Sequence, residues 1–263
     1  MSGFRRAFEK YFLYSSMLQV GCAVALGLAL LSTPASSEPA GPSPQKLLEQ
    51  AEAIRNPTED YSVDVKLLDK NKGSEETRTY ECKVKGTDKA LVKYVTPAVD
   101  KGTKVLMVGP DMWVYMPSSA KPIRVSANQK LAGNAAYGDV TRLTFIGNYT
   151  PKLVKEDVFE GKKAVVLDLN AIDGRPVTYD RIEYWIDKST HRPLKAIYMT
   201  VAGKPLREGF FEDYRDVFGL QRPNSLRLVD YIVKEHVTLM TFTNSKRGKF
   251  SDVTFDKQNL SRD

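Results

Sequence analysis

Apolar and polar residues alternate along most of the chain, which is the pattern of strands that bury one face of a sheet. From Tyr61 to Leu67 every second residue is apolar, and the same period returns in residues 80–85. Turn signals such as Asp173-Gly174 separate these segments at hairpin spacing. The pattern predicts strands at residues 61–67, 80–85, 90–95, 104–108, 112–116, 123–126, 153–159, 164–170, 178–186, 193–201, 209–214, 225–233 and 237–244.

One earlier segment has the period of a helix. Ser43 suits an N-cap and Pro44 suits the first helical turn, and apolar residues then repeat at helical spacing as far as Ile54. We expect one amphipathic helix that ends before Asn56 and packs on a sheet.

The order of these elements limits the fold class. Eleven to thirteen strands with short connections predict a mainly β protein with one large, curved antiparallel sheet or an incomplete barrel, and the missing crossover helices exclude a parallel sheet. The one long break, at residues 127–150, contains three glycines and a possible short helix at 139–143. We expect this segment to be a lid across the open face; the alternative is a surface loop without a role.

The first 37 residues have the layout of a secretory signal peptide. Basic residues near the start precede an aliphatic run at 18–31 and small residues at 32–37. We expect cleavage after Ala35 or Ser37, which leaves a single exported domain at residues 38–263. Retention as a membrane anchor is the alternative, although the run is shorter than the roughly 20 residues that span a bilayer. Lipidation of Cys22 is disfavoured because Gln19 stands where a lipoprotein signal carries leucine.

Composition and charge exclude several function classes. The chain is 42% apolar and 27% charged, as in ordinary globular proteins, and its formal net charge of +7 is too dilute for a dedicated nucleic-acid binder. The presence of only two cysteines and two histidines argues against a Cys/His zinc framework. Cys82 falls on the apolar side of its strand, so we expect it in the core.

Candidate catalytic residues are scarce. His191 and His236 both fall in predicted turns, where we expect solvated side chains and not a catalytic base. The sequence contains no glycine-rich nucleotide-binding motif, no nucleophile elbow and no metalloprotease motif. We therefore expect no enzyme activity, no cofactor, no metal and no nucleic-acid partner.

Several strands are apolar on both faces, including residues 105–108, 112–116, 165–167 and 197–199. Such strands must be covered on both faces. The cover of the second face is either an apolar ligand or an ordinary second layer of the protein in which methionine fills the gaps. If a lipid forms the second cover, the alternation of residues along the strand does not decide which of the two sets of side chains faces the lipid. The candidates for a lipid cavity are Leu106, Met107, Trp113, Val114, Met116, Leu167 and Met199.

The ordered motifs at residues 101–106, 112–117, 124–126 and 187–195 resemble the LolA-like family of outer-membrane lipoprotein-sorting proteins. In the last of these, a strand ending in aspartate turns and resumes with proline, as in a hairpin of that family. The resemblance extends over residues 61–260. Further matching residues are Gln129, Gly133, Asp139, Pro223, Leu226, Phe255 and Leu260.

The resemblance implies an incomplete, half-open antiparallel β-barrel of about eleven strands with helices and a loop over its mouth. It also implies a monomeric periplasmic carrier or chaperone without catalysis, which binds the acyl chains of a lipoprotein or a free lipid and moves them towards the outer membrane. An inner-membrane transporter and an outer-membrane acceptor would be its partners. By likeness to an arginine of that family, Arg124 is the candidate tether for backbone carbonyls of the lid.

The chain departs from the family at residues 132–138, which are weakly helical and contain glycine where the family has helical plugs. A second hypothesis therefore stays open. Under this hypothesis the chain is a non-catalytic interaction or structural module of the envelope, with a core filled by its own side chains. A module that is accessory to a transporter falls under the same hypothesis.

Overall fold

Thirteen strands form one antiparallel sheet, which is the frame of the computed structural model. The structure describes residues 41–119, 121–141, 143–175 and 177–262. The helices are α1 (Pro44–Arg55) and α2 (Tyr137–Val140), and short 3-10 turns lie at Ala98–Asp100, Asp252–Phe255 and Lys257–Asn259. The strands are β1 (Tyr61–Asn71), β2 (Ser74–Lys85), β3 (Lys89–Thr96), β4 (Lys104–Val108), β5 (Asp111–Tyr115), β6 (Ile123–Val125), β7 (Lys130–Ala132), β8 (Ala135–Ala136), β9 (Tyr149–Phe159), β10 (Lys162–Ala171), β11 (Arg181–Asp187), β12 (Pro193–Met199), β13 (Pro205–Val217), β14 (Leu220–Asp230) and β15 (His236–Arg247).

The sheet consists of two meanders that meet at the first and last strands. Strands β1 to β6 pair in succession on one side, strands β9 to β15 pair in succession on the other, and β15 pairs with β1. The sheet ends at β6 and β9, so it is not closed into a barrel. One hydrophobic cluster contains side chains from β1–β5 and β9–β15, which means that the sheet curls around a common interior.

Every strand that the alternating pattern predicts is present, with its ends displaced by a few residues. The count of about eleven strands that the family resemblance implied is wrong, because all thirteen segments pair in the main sheet. Strand β2 begins at Ser74, earlier than predicted, since the end of its hairpin extends past the core and is polar on both faces. The hairpin of β7 and β8 was not predicted.

Helix α1 forms where the sequence predicts it. The Ser43 hydroxyl accepts a hydrogen bond from the Lys46 amide at 3.2 Å and caps the first turn. At the other end, the buried Arg222 guanidinium donates to the carbonyl oxygens of Ala53 and Ile54, which fixes the helix to the start of β14. The face of the helix that packs on the sheet carries Leu47, Leu48 and Ala51.

The described residues of the segment 127–148, which we call the plug, contain β7, β8 and α2 and lie over the concave face of the sheet. Their buried apolar side chains join the same cluster as the strands. The short helix spans residues 137–140 and not 139–143 as predicted. The reason is that the Asp139 carboxylate accepts a hydrogen bond from the Ala136 amide at 2.8 Å, so Asp139 caps the helix from inside its first turn.

The hairpin of the plug is fastened to the sheet by buried polar groups. The Asn134 amide donates to Thr238 Oγ1 at 2.7 Å, and the Asn134 side chain donates to the carbonyl oxygen of His236 at 3.2 Å. The Asp69 carboxylate accepts from Thr238 and lies 3.0 Å from Nε2 of His236. The prediction of a solvated His236 is wrong, because its ring is buried between Asp69 and Asp230. His191 lies in the turn between β11 and β12.

A second polar contact fastens α2. The hydroxyl of Tyr179 donates to the Asp139 carboxylate at 2.8 Å. Burial raises the pKa of Asp139, and nearby Arg207 offsets only part of this shift. Cys82 is buried in the same interior, as the sequence predicted.

Substitution of Gly133 by alanine should displace the β7–β8 hairpin from the sheet. Gly133 has a φ of +53°, and an added Cβ would lie 2.2 Å from Oδ1 of Asp69 and 2.6 Å from Oγ1 of Thr238. We expect Gly133→Ala to lower the free energy of unfolding by about 2–4 kcal/mol, measured by urea denaturation. Gly147→Ala is the matched control, since Gly147 also has a positive φ but an added Cβ meets no atom within 4 Å. Equal losses for the two variants would contradict a specific seat for the hairpin.

The raised pKa of Asp139 predicts a pH dependence. Its carboxyl binds a proton more readily in the folded chain than in the unfolded chain, so its contribution to stability falls as the pH rises from about 4 towards the raised pKa. We expect the wild type to gain stability relative to Asp139→Asn as the pH is lowered through this window. Urea unfolding of both proteins between pH 4 and pH 7, at roughly half-unit steps, measures the difference. A constant difference at every pH would show that Asp139 does not titrate in this way.

Candidate functional site

The concave face of the sheet carries a continuous apolar surface, which we call the floor. Alternate side chains of the strands on both sides of the β1–β15 pair form it, and α1 and the plug cover it. The largest fully buried side chains of its strands are Leu67, Tyr80, Met107, Leu167, Leu169, Ile182, Tyr184, Ile186, Leu228 and Met240.

Three of the predicted cavity residues lie in the floor. Met107, Val114 and Leu167 belong to the concave cluster. They come from β4, β5 and β10, so both halves of the sheet contribute.

The other four predicted residues lie elsewhere. Leu106 and Trp113 face the convex side of the sheet, where they pack with Phe255 in the C-terminal turns. Met116 follows the end of β5 and is 37% exposed. Met199 is buried at the end of β12, where a register shift interrupts the pairing with β13.

The deepest part of the floor has no room for a ligand while its cover is in place. The side chains of Leu67, Leu167 and Leu228 have no accessible surface, so not even a water molecule touches them. Phe145 of the plug packs edge-to-face on Tyr184, with ring centroids 5.5 Å apart. An apolar guest therefore reaches this part of the floor only if the cover moves.

The floor also carries tyrosines that the sequence analysis did not single out. Tyr80, Tyr94, Tyr184 and Tyr198 are all buried in it, and Tyr198 stacks on Tyr179 at a centroid distance of 4.1 Å. They fall at apolar positions of the alternating pattern, which was the available signal. The pattern counts tyrosine as apolar and does not register the hydroxyl.

One buried carboxylate joins the two parts of the cover. Glu52 of α1 is 2% exposed, and its carboxylate accepts hydrogen bonds from the Thr144 hydroxyl at 3.0 Å and from the Phe145 amide at 2.9 Å. The Arg55 guanidinium, one helical turn away, pairs with the same carboxylate and donates to the carbonyl oxygen of Leu143 at 2.9 Å. We call these contacts the Glu52 latch.

The charges of the latch compensate each other. Burial lowers the pKa of Arg55, but the neighbouring Glu52 carboxylate outweighs this effect and keeps the pKa above its ordinary value. The guanidinium also lies 4.0 Å from the centre of the Phe145 ring. Arg55 is therefore a permanent cation that binds both the carboxylate and the plug.

Arg124, the candidate tether, lies in β6 and is 72% exposed. It donates to Asp111 on the neighbouring strand β5. In the described part of the chain, it is Arg55 that donates to a backbone carbonyl of the plug, that of Leu143. Sequence analysis missed Glu52 and Arg55 because both resemble ordinary charged positions of a surface helix.

A cleft of about 220 Å³ opens beside the latch. The tips of the β2–β3 and β4–β5 hairpins form one wall, and the end of the plug with Thr144 forms another. The cleft thus leads from solvent to the place where the plug is held. Its lining residues are Thr87, Asp88, Gly109, Pro110, Leu143, Thr144, Ile146, Gly147, Asn148 and Arg175.

Within the described ranges, no helix is both long and apolar enough to cross a membrane. In the same part of the chain, no group of histidine, cysteine, aspartate and glutamate side chains has the arrangement of a metal site. The signal peptide predicted for residues 1–37 and the domain boundary at residue 38 lie outside the described residues.

Comparison with known proteins identifies the family. A family model described as an uncharacterized protein matches residues 86–262. No curated protein matches the sequence. Two solved structures share the fold at 21% identity and a TM-score of 0.73. One is a DUF1329 family protein from Desulfovibrio piger, and the match covers 83% of this chain and 100% of that chain. The other is an outer membrane lipoprotein-sorting protein domain from Vibrio parahaemolyticus, and the match covers 83% of this chain and 98% of that chain. Neither name indicates an enzyme.

A third solved structure is more similar in sequence. The LolA superfamily protein from Nitrosomonas europaea is 32% identical, with a TM-score of 0.78, and the match covers 82% of this chain and 99% of that chain. The chain belongs to the LolA superfamily.

Proposed function

We propose that the chain is a periplasmic carrier that holds the acyl chains of a lipoprotein or a free lipid against the floor and moves them towards the outer membrane. The observation that carries this proposal is an apolar floor whose cover is fastened by buried polar contacts. The membership in the LolA superfamily supports it, as does the name of the similar Vibrio domain.

The energies of the two possible occupants of the floor favour an exchange. Burial of an acyl chain stabilises by roughly 0.8 kcal/mol per CH₂, so a twelve-carbon chain contributes about 10 kcal/mol before ordering costs. The plug buries its own apolar side chains on the same surface and gives them up when it leaves. Lipid and plug thus compete for one surface, and a modest bias moves the equilibrium.

The latch is suited to repeated opening. A buried ion pair loses most of its Coulomb energy to desolvation, and that desolvation is reversed when the pair is exposed to water. Opening of the latch therefore costs less than the number of hydrogen bonds on Glu52 suggests. We propose the cleft beside Thr144 as the access route for the lipid.

The proposal includes the cellular setting. Residues 1–37 serve as a cleaved signal peptide, residues 38–263 are the single mature domain, and the carrier works as a monomer between an inner-membrane transporter and an outer-membrane acceptor. Of the predicted cavity residues, we retain Met107, Val114 and Leu167 as lining, because they lie in the floor. The tether that the resemblance implied for Arg124 is assigned to Arg55.

One observation favours a second function. The floor is fully covered by the chain's own side chains, as expected for an interaction or structural module of the envelope with a self-filled core. The two functions differ in whether lipid ever replaces the plug.

Lipid that co-purifies with the protein distinguishes them. Extraction from native membranes followed by mass spectrometry should find acyl lipid or lipoprotein with the wild type. Val114→Asp places a carboxylate in the floor and should purify without lipid, because an unpaired charge is costly there. The control is Val201→Asp, since Val201 is 85% exposed in a turn. Wild-type protein free of lipid would leave the structural module as the function.

Loss of the latch should accelerate lipid uptake. Glu52→Gln removes the partner of a buried guanidinium, and we expect it to lower the free energy of unfolding by about 3–5 kcal/mol and to raise the rate at which a fluorescent fatty acid enters. Stopped-flow fluorescence measures the rate. Glu156→Gln is the matched control, because Glu156 is 68% exposed where it pairs with Lys188. Equal uptake rates in Glu52→Gln and the wild type would contradict a gating role for the latch.

A further inference from the structure

Two tyrosine hydroxyls in the floor have no hydrogen-bond partner among the described residues. They belong to Tyr80 of β2, which is 1% exposed, and Tyr184 of β11, which has no exposed surface. Burial raises the pKa of both phenols, so both carry their protons and are available as donors. Both hydroxyl oxygens are buried.

Such hydroxyls are unusual, because a buried polar group without a partner destabilises the fold. Neighbouring tyrosines follow the ordinary rule: the Tyr149 hydroxyl donates to the carbonyl oxygen of Tyr179 at 2.6 Å, and the Tyr179 hydroxyl donates to Asp139. Phenylalanine would fill the volume of Tyr80 or Tyr184 without this cost. The two hydroxyls therefore need an explanation outside the closed structure.

Both rings lie where the plug covers the floor. Phe145 of the plug packs on the ring of Tyr184. Tyr80 packs edge-to-face on Tyr94, with centroids 4.8 Å apart, and Tyr94 shares a hydrogen bond with Tyr137 of α2. When the plug leaves, the two hydroxyls become donors in a surface that is mainly apolar.

We propose that Tyr80 and Tyr184 recognise the carbonyl oxygens of ester- or amide-linked acyl chains. This inference rests on the proposed carrier function and specifies its ligand. A phenol donates well to an ester or amide carbonyl, and a hydrocarbon or an ether-linked chain offers no carbonyl to accept the bond. Strands β2 and β11 lie on opposite sides of the β1–β15 pair, so each half of the sheet contributes one donor. Two donors on separate halves of the sheet fit a lipid that carries more than one acyl carbonyl.

The test compares two lipids that differ only in these carbonyls. A diacylglycerol and the dialkyl ether with the same chain lengths are titrated against a displaceable fluorescent fatty acid. We expect the wild type to bind the ester lipid on the order of tenfold more tightly. Tyr80→Phe/Tyr184→Phe should bind the two lipids equally and should unfold at the same or a higher urea concentration than the wild type, since it removes two unpaired hydroxyls.

Tyr149→Phe is the matched control, because it removes a buried hydroxyl that has a partner. It should lower stability and keep the preference for the ester lipid. Equal binding of both lipids by the wild type, or an ester preference that survives in the double variant, would overturn the inference and leave the carrier function intact. Failure of the wild type to bind either lipid would overturn both.

Discussion

The contact between the two parts of the cover over the floor, α1 and the plug, depends on the carboxylate of Glu52. It pairs with Arg55 within α1 and accepts hydrogen bonds from Thr144 and Phe145 of the plug, so it joins the helix and the plug across the concave face. Because the contact is a buried ion pair, it fixes the position of the plug more than it adds net stability. A cover held by apolar packing alone would lack this defined point of release.

The sheet makes such a cover possible because it curls and ends in two free edges. Strand β9 is one of these edges, with Leu153, Val154 and Val158 more than half exposed. Pro151 and the register shift opposite Val166 interrupt the edge, which opposes pairing with another chain. On the convex side, Leu106 and Phe255 form a separate small core, so the concave face alone is left to the plug. The architecture thus leaves one apolar surface to be covered by α1 and the plug.

Strand positions were predictable from sequence, whereas the contacts between distant residues were not. The period of two identified most strands of the main sheet, because most of them have a buried and a less buried face. In β4 four successive residues are buried, so the alternation of apolar and polar residues could not assign Leu106 to the convex side and Met107 to the floor. The burial of His236 depends on Asp69, which is 167 residues away in sequence. Glu52 looked like a solvent-facing helix position for the same reason, since its partners in the plug are more than 90 residues away.

The central claim is that the plug leaves the floor when lipid binds. Hydrogen exchange of the Phe145 and Asn134 amides tests it most directly, because these N–H groups donate to Glu52 and Thr238 in the closed structure. The measurement compares the protein alone with the protein saturated with a diacylglycerol, with the amides of β1 and β15 as internal references. The account predicts that lipid accelerates exchange in residues 127–148 and leaves β1 and β15 unchanged. Equal protection of the plug with and without bound lipid would contradict it.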